Sequence, residues 1–280
     1  MSGLATLTAA DATRGAVCEH ARLVKPIVVI LCGGRGTRLQ EQSETVPKPL
    51  IEVGDRPIVW HVIHMYLAHG FRRFVLLTGY RGEQVREFAA GEQWPEGARI
   101  DCLDTGTDAP TGERLRRAAP ALEEERFCLA YADGVADIDL GALLDYHLGH
   151  QRAATMAVVH PRLPFGVARM DGDGSVIGFS EKPRSDLWVN AGFFCFERTA
   201  IDVVDPGSTL EREPLARLAA DGSLRAFRHD GFWECMDTHK DWLTLNELWK
   251  SDRAPWVTRQ PDEASPGPTD AERSEAQLNS

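Results

Sequence analysis

Residues 25–49 read KPIVVILCGGRGTRLQEQSETVPKP, and this stretch decides the fold. Ile27 to Leu31 is an unbroken apolar run, the pattern of a parallel strand covered on both faces rather than the alternation of a half-exposed one. In an open α/β sheet such a strand delivers ligands to its carboxyl end. There Gly33, Gly34 and Gly36 clear side chains from a turn whose backbone N–H groups are then open to a phosphate, Thr37 adds a hydroxyl, and Arg38 and Lys48 add positive charge. The same glycines also suit a tight turn without a ligand; Arg38 and the Pro47-Lys48-Pro49 step favour the ligand. A Walker loop is excluded because Arg38 is followed by Leu39, and a dinucleotide fingerprint because Leu39 stands where its third glycine falls.

Outward from this segment, strand-like runs near 73–78, 99–103, 127–131 and 154–159 alternate with helical patterns. Pro57 stands where a first-turn proline belongs, Ile58, Val62, Met65 and Tyr66 form one stripe, and Gly70 ends the helix. Leu140, Leu143, Leu144, His147 and Leu148 repeat the pattern after Asp139. The expected fold is α/β: a Rossmann-like, doubly wound, mixed but mostly parallel sheet. After 160 the pattern changes. Val167–Met170 and Ser175–Phe179 flank Asp171-Gly172-Asp173-Gly174 and predict a small β hairpin, followed by strands at Phe193–Phe196, 224–228 and 232–235. A last helix from His239 to Lys250 puts Trp242, Leu245, Leu248 and Trp249 on one face, as core or subunit contacts.

Composition sets the remaining bounds. We expect one domain over 25–256, preceded by a loosely ordered arm (1–24) and followed by a disordered acidic tail (257–280), where five acids meet two arginines and no aromatic residue. A net charge of -11 argues against nucleic-acid binding, which needs a basic face. The six cysteines form no CxxC pair and no zinc spacing, so reduced thiols and a cytoplasmic location are expected. The longest apolar runs are too short to span a bilayer. His61 and His64 have helical spacing but no third ligand, and read as ordinary helix residues; Glu123 to Glu125 read as a solvated turn.

Asp133 follows the run Phe127–Tyr131 and adjoins Gly134, a placement that suits either a turn cap or a ligand at the end of a central strand. The glycine turn does not stand alone. Lys48 to Ile58, Gly79-Tyr80-Arg81-Gly82, Asp104-Thr105-Gly106, Thr111 to Leu115, Tyr131 to Val135, Phe179 to Pro183, Val189 to Phe194 and Phe232 to Thr238 follow it in order. Together these segments, spanning about Ile27 to Trp256, resemble the sugar-1-phosphate nucleotidyltransferases, and among them the glucose-1-phosphate cytidylyltransferases.

The resemblance implies Mg2+-dependent transfer of CMP from CTP to a sugar 1-phosphate, foremost α-D-glucose 1-phosphate, by a homo-oligomeric enzyme. It assigns catalysis to Arg38, Lys48, Asp133, Lys182 and Asp237, with Asp133 and Asp237 as the metal ligands. It assigns the nucleotide to Leu31, Gly33, Gly34, Gly36, Thr37, Arg38, Lys48, Gly79, Thr105, Gly106, Thr111 and Arg114. The sugar phosphate falls to Lys182, with Glu181 and Asn190 for hydroxyls, Gly166 and Gly192 for close backbone approach, and the hairpin as a sugar-binding addition. Three departures stand out: Glu113 replaces a usual glycine, Phe165 a common Tyr, and only the short run from Ala89 to Leu103 fills a gap that usually holds an insertion. Transfer from UTP or dTTP, a different phosphorylated or phosphonate acceptor, and a non-catalytic nucleotide-sugar sensor stay open as alternatives.

Overall fold

The computed structural model describes residues 25–34 and 46–257; the expected arm, the segment 35–45 and all of the tail beyond Val257 lie outside the described residues. The elements in chain order are β1 (Ile27–Cys32), a 3-10 turn at Lys48–Leu50, β2 (Glu52–Val53), β3 (Arg56–Pro57), α1 (Ile58–Ala68), β4 (Arg73–Thr78), α2 (Gly82–Gly91), β5 (Arg99–Asp104) and α3 (Thr111–Ala118). They continue with β6 (Arg126–Tyr131), β7 (Gly134–Ala136), α4 (Leu140–His150), β8 (Ala154–Val159), β9 (Val167–Met170), β10 (Val176–Ser180) and β11 (Val189–Glu197). A 3-10 segment at Arg198–Val203 precedes α5 (Glu213–Ala220), β12 (Leu224–His229), β13 (Trp233–Cys235) and α6 (His239–Lys250).

Seven strands form one sheet in the order β12-β8-β11-β6-β1-β4-β5. Only β11 runs antiparallel to its neighbours. The chain builds outward from β1 through β4 to β5, then returns to lay β6 on the other side of β1. That reversal opens a crevice at the carboxyl end of β1, where ligands of doubly wound sheets bind. Successive residues of β1 serve opposite layers. Val28, Ile30 and Cys32 join a core with the buried faces of α1 and α4. Ile27, Val29 and Leu31 join a second core with Leu115 and Ala118 of α3 and Leu215 and Leu218 of α5. Burial on both faces is what the unbroken apolar run requires.

The strands and helices expected from periodicity are present, with differences that have local causes. Pro57 is the N-cap residue of α1 and the end of β3, not a member of the first turn. The strand expected at Phe193–Phe196 extends over Val189–Glu197, since β8 pairs with its start as well as its end. β13 stands where the sequence predicts a strand, and its partner is one that the sequence does not predict: it pairs antiparallel with the three-residue β7. The hairpin of β9 and β10 turns at Asp171–Gly174, with Gly174 at a φ of +91°.

The apolar face of α6 packs inward. Leu245 is fully buried, Trp242 Nε1 donates to the Glu52 carbonyl at 2.8 Å, and the Trp249 ring lies where a Cβ on Gly54 would stand. His61 is a satisfied core histidine: its Nε2 is 2.9 Å from the Val53 carbonyl, and Trp256 Nε1 donates to its Nδ1 at 3.2 Å. Burial pushes its pKa down to about 4. His64 bonds the Trp60 carbonyl and stacks on the Trp60 ring, so the two form no metal pair. Among the described residues no helix is long and apolar enough to cross a membrane.

Candidate active site

A cleft of about 440 Å³ opens beyond the carboxyl ends of β1 and β6; Gly33, Gly34, Lys48, Tyr131, Asp133 and Glu211 are among the residues that line it. Asp133 lies between β6 and β7. Because β7 pairs with β13 and the Met236 amide donates to the Asp133 carbonyl at 2.9 Å, the turn after β13 brings Asp237 beside Asp133. Lys48 Nζ is 2.6 Å from Asp133 Oδ2 and 2.6 Å from Asp237 Oδ1. Burial alone would lower the Lys48 ammonium, but Asp133 and then Asp237 hold it above its usual value. The Lys48 ammonium thus lies between the two carboxylates, in a place that is only partly solvated.

Cys235 completes the group: a ligand atom from each of Asp133, Cys235 and Asp237 lies within 4.8 Å of the others. Burial raises the Cys235 thiol far above its ordinary value and the two carboxylates raise it further, so the sulfur stays protonated. The charged donors are therefore carboxylate oxygens, hard ligands that suit magnesium, and an ammonium already sits between them. The residues fit the expected ion.

Arg114 lines the cleft beneath Gly33 and Gly34. Only 5% exposed, it donates through Nη1 to the Thr78 and Gly106 carbonyls and Thr105 Oγ1, and through Nη2 to the Gly33 and Thr107 carbonyls. Both terminal nitrogens are thus committed to protein acceptors at the end of β4 and in the loops after β1 and β5. A Cβ on Gly33 would stand 1.9 Å from Arg114 Cζ, and one on Gly79 2.4 Å from Nη1. These glycines make room for the guanidinium, a reason different from the open phosphate turn expected for Gly33. Gly34 meets nothing within 4 Å and does leave open space. Gly106 has a φ of +92°, which turns the loop after β5 back over Arg114.

Thr111 Oγ1 donates to Glu211 Oε2 at 2.6 Å and accepts from the Leu210 amide at 2.9 Å. Glu113 is buried and accepts from Arg116, Arg117 and the Gly207 amide, contacts that hold its carboxyl well below the usual range. Its charge is therefore met inside the protein by Arg116, Arg117 and the Gly207 amide.

Beside Tyr131, Asn190 Nδ2 donates to the phenol hydroxyl at 3.1 Å and its Oδ1 accepts from the Gly192 amide at 2.8 Å. Tyr131 in turn donates to Glu211. Gly192, at a φ of +83°, lies against the Tyr131 ring, and Gly166 lies under Phe179 and Glu181. Lys182 has a φ of +46° and a half-exposed side chain 3.5 Å from Glu181. The structure thus gathers Lys48, Asp133 and Asp237 at one point, with Leu31, Thr111 and Arg114 around the same cleft, and leaves Lys182, Glu181 and Gly166 on the flanking hairpin region. Gly36, Thr37 and Arg38 lie outside the described residues. Sequence reasoning missed Tyr131, Glu211 and Cys235 as site residues. Tyr131 carried a signal, two positions before Asp133; Glu211 carried none, in a polar stretch without period.

Residues 27–250 match the family described as nucleotidyl transferase. The chain belongs to that family. This nucleotidyl transferase is 38% identical over 257 residues to the glucose-1-phosphate cytidylyltransferase of Salmonella typhi, covering 82% of this chain and 98% of that protein. It is 30% identical over 224 residues to the mannose-1-phosphate guanylyltransferase of Mycobacterium tuberculosis, with 77% and 62% covered. Its fold is shared with HddC from Yersinia pseudotuberculosis at a TM-score of 0.65 and 20% identity, over 80% of this chain and 99% of that one. The doubly wound, mostly parallel α/β fold expected from the sequence and the nucleotidyltransferase class implied by the resemblance both hold.

Proposed function

We propose that this enzyme transfers CMP from CTP to a sugar 1-phosphate, foremost α-D-glucose 1-phosphate, releasing CDP-glucose and pyrophosphate. The observation that carries the reading is the meeting of Lys48, Asp133 and Asp237 at the mouth of the cleft beside the glycine turn. The similarity to a glucose-1-phosphate cytidylyltransferase along nearly its whole length supports the substrates.

In this reaction a phosphate oxygen of the sugar phosphate forms a bond to the α-phosphorus of CTP, and the bond from that phosphorus to the bridging oxygen breaks, its electron pair leaving with pyrophosphate. Both reactants are anions, so positioning and charge neutralisation carry the catalysis and no covalent nucleophile is needed. Lys48 donates to the triphosphate. Asp133 and Asp237 would hold a divalent cation, which would supply neutralisation of phosphate oxygens. Arg114 keeps the end of β4 and the loops after β1 and β5 in register under the nucleotide, Thr105 and Gly106 border the base, and Lys182 with Asn190 takes the acceptor.

Pyrophosphate release measured across CTP, UTP, dTTP, ATP and GTP, each against a panel of hexose 1-phosphates, tests this directly. CTP with α-D-glucose 1-phosphate should exceed every other pair by about tenfold or more in kcat/KM. A maximum at GTP with mannose 1-phosphate would overturn the assignment.

A further inference from the structure

Glu113, the residue that departs from the usual glycine, starts a chain of contacts that ends on the opposite wall of the cleft. Its carboxylate accepts from the Gly207 amide at 3.0 Å, and its own amide donates to the Ser208 carbonyl at 3.1 Å. Two residues earlier on α3, Thr111 Oγ1 takes the Leu210 amide at 2.9 Å and gives its proton to Glu211 Oε2 at 2.6 Å. Residues 207–211 are thus tied to the first turn of α3 at four points. Gly112 allows the contact, since a Cβ there would stand 2.7 Å from the Ser208 carbonyl. Held this way, the segment presents Glu211 to the hydroxyl of Tyr131, which donates to Oε1.

That donation fixes the polarity of the contact between Tyr131 and Asn190. With its proton committed to Glu211, Tyr131 offers only lone pairs, so Asn190 must turn its amide nitrogen toward the ring hydroxyl, as it does at 3.1 Å. The Gly192 amide at Asn190 Oδ1 requires the same orientation. One N–H of Asn190 is left for a hydroxyl of the acceptor. Burial and the neighbouring Glu211 keep the Tyr131 phenol protonated, so the polarity does not invert. Glu113 also pairs with Arg116 and Arg117 one turn along α3. If it merely stabilised its own helix, those pairs would suffice on the surface; instead the carboxylate is 5% exposed and bonds an amide 94 positions away.

We infer that Glu113 is a positioning residue for acceptor recognition: through residues 207–211 and Glu211 it sets the orientation of Tyr131 and Asn190, and so governs the KM for the sugar 1-phosphate rather than for CTP. The inference rests on the proposed transfer to a sugar 1-phosphate, with Asn190 on the acceptor side.

The test is a double-mutant cycle read in steady-state kinetics with Glu113→Ala, Glu211→Gln and the pair. Glu113→Ala should raise the KM for α-D-glucose 1-phosphate about tenfold while that for CTP moves less than about twofold, and Glu113→Gln, which keeps an oxygen for the Gly207 amide, should recover most of the loss. The double variant should be no worse than Glu211→Gln alone, because both changes break one path. Additive effects, or an equal rise in the KM for CTP, would overturn the inference. Should Glu113→Ala not fold, Glu113→Asp, whose carboxylate is one methylene short of the Gly207 amide, replaces it in the same cycle with the same expectation. Wild-type turnover with another triphosphate would overturn the nucleotide assignment and leave the cycle readable, since it is scored on the acceptor.

Discussion

Lys48 takes its importance from two contacts of equal length, one to each carboxylate of the cleft. Removing either acid breaks this arrangement without disturbing the core. Asp133→Asn or Asp237→Asn should lower kcat by roughly two to three decades while thermal stability changes little, and chelation by EDTA should arrest the wild type; full turnover in EDTA would refute the metal assignment. Lys182 is a different case. It lies outside the deep cleft, beside Glu181 at the end of β10, and the loss of its ammonium should raise the KM for the sugar phosphate about ten- to a hundredfold. Arg38→Ala should instead weaken use of CTP. A variant Lys182→Ala with unchanged acceptor saturation and impaired CTP binding would show that the two phosphate roles were exchanged.

Among elements, α6 couples stability to the site most directly. Thr238 caps it, accepting from the Asp241 amide, and Asp241 returns bonds to the amides of Thr238 and Asp237. Thr238→Ala should cost about 1 kcal/mol in denaturant unfolding, yet lower turnover by more than that loss implies, since the backbone of Asp237 hangs from the same cap. Equal turnover in the folded variant would separate the cap from the site. The sequence showed α6, β1 and the β9–β10 hairpin plainly, because each has a period or a turn signal that its own residues carry. It did not show the pairing of β7 with β13, two three-residue strands too short for any periodicity, and that pairing is what brings Asp133 to Asp237. Arg114 illustrates the same limit: its residue type suggested a ligand contact, whereas the end of β4 and the loops after β1 and β5, joined only in the fold, absorb its donors.

At the scale of the whole molecule, two buried histidines set an acid limit. His61 and His147 are both pushed down to about 4, His61 chiefly by burial and His147 by burial, then His150 and Arg126. Each binds its proton more readily when unfolded, near the ordinary value of about 6.5. Each histidine should therefore withdraw about 1.4 kcal/mol of stability per pH unit on acidification from that value toward pH 4, while Glu234, whose carboxyl burial raises to about 7, gives back part of it over the same range. Urea unfolding at pH 7, 6 and 5 measures the slope; a pH-independent midpoint would refute it. The described body ends its packing at Trp256, which is 3% exposed and bonded to His61. Deleting residues 259–280 should leave turnover and melting temperature nearly unchanged, while Trp256→Ala should cost about 3–5 kcal/mol.

The β7–β13 pair also bears on how the enzyme is made. Asp133 has left the ribosome long before β13 is synthesised, and the two acids lie 104 positions apart in the chain, as their numbers show. A chain extended only through β6 therefore holds half of the acid pair, and the pair is complete only once synthesis has passed Asp237.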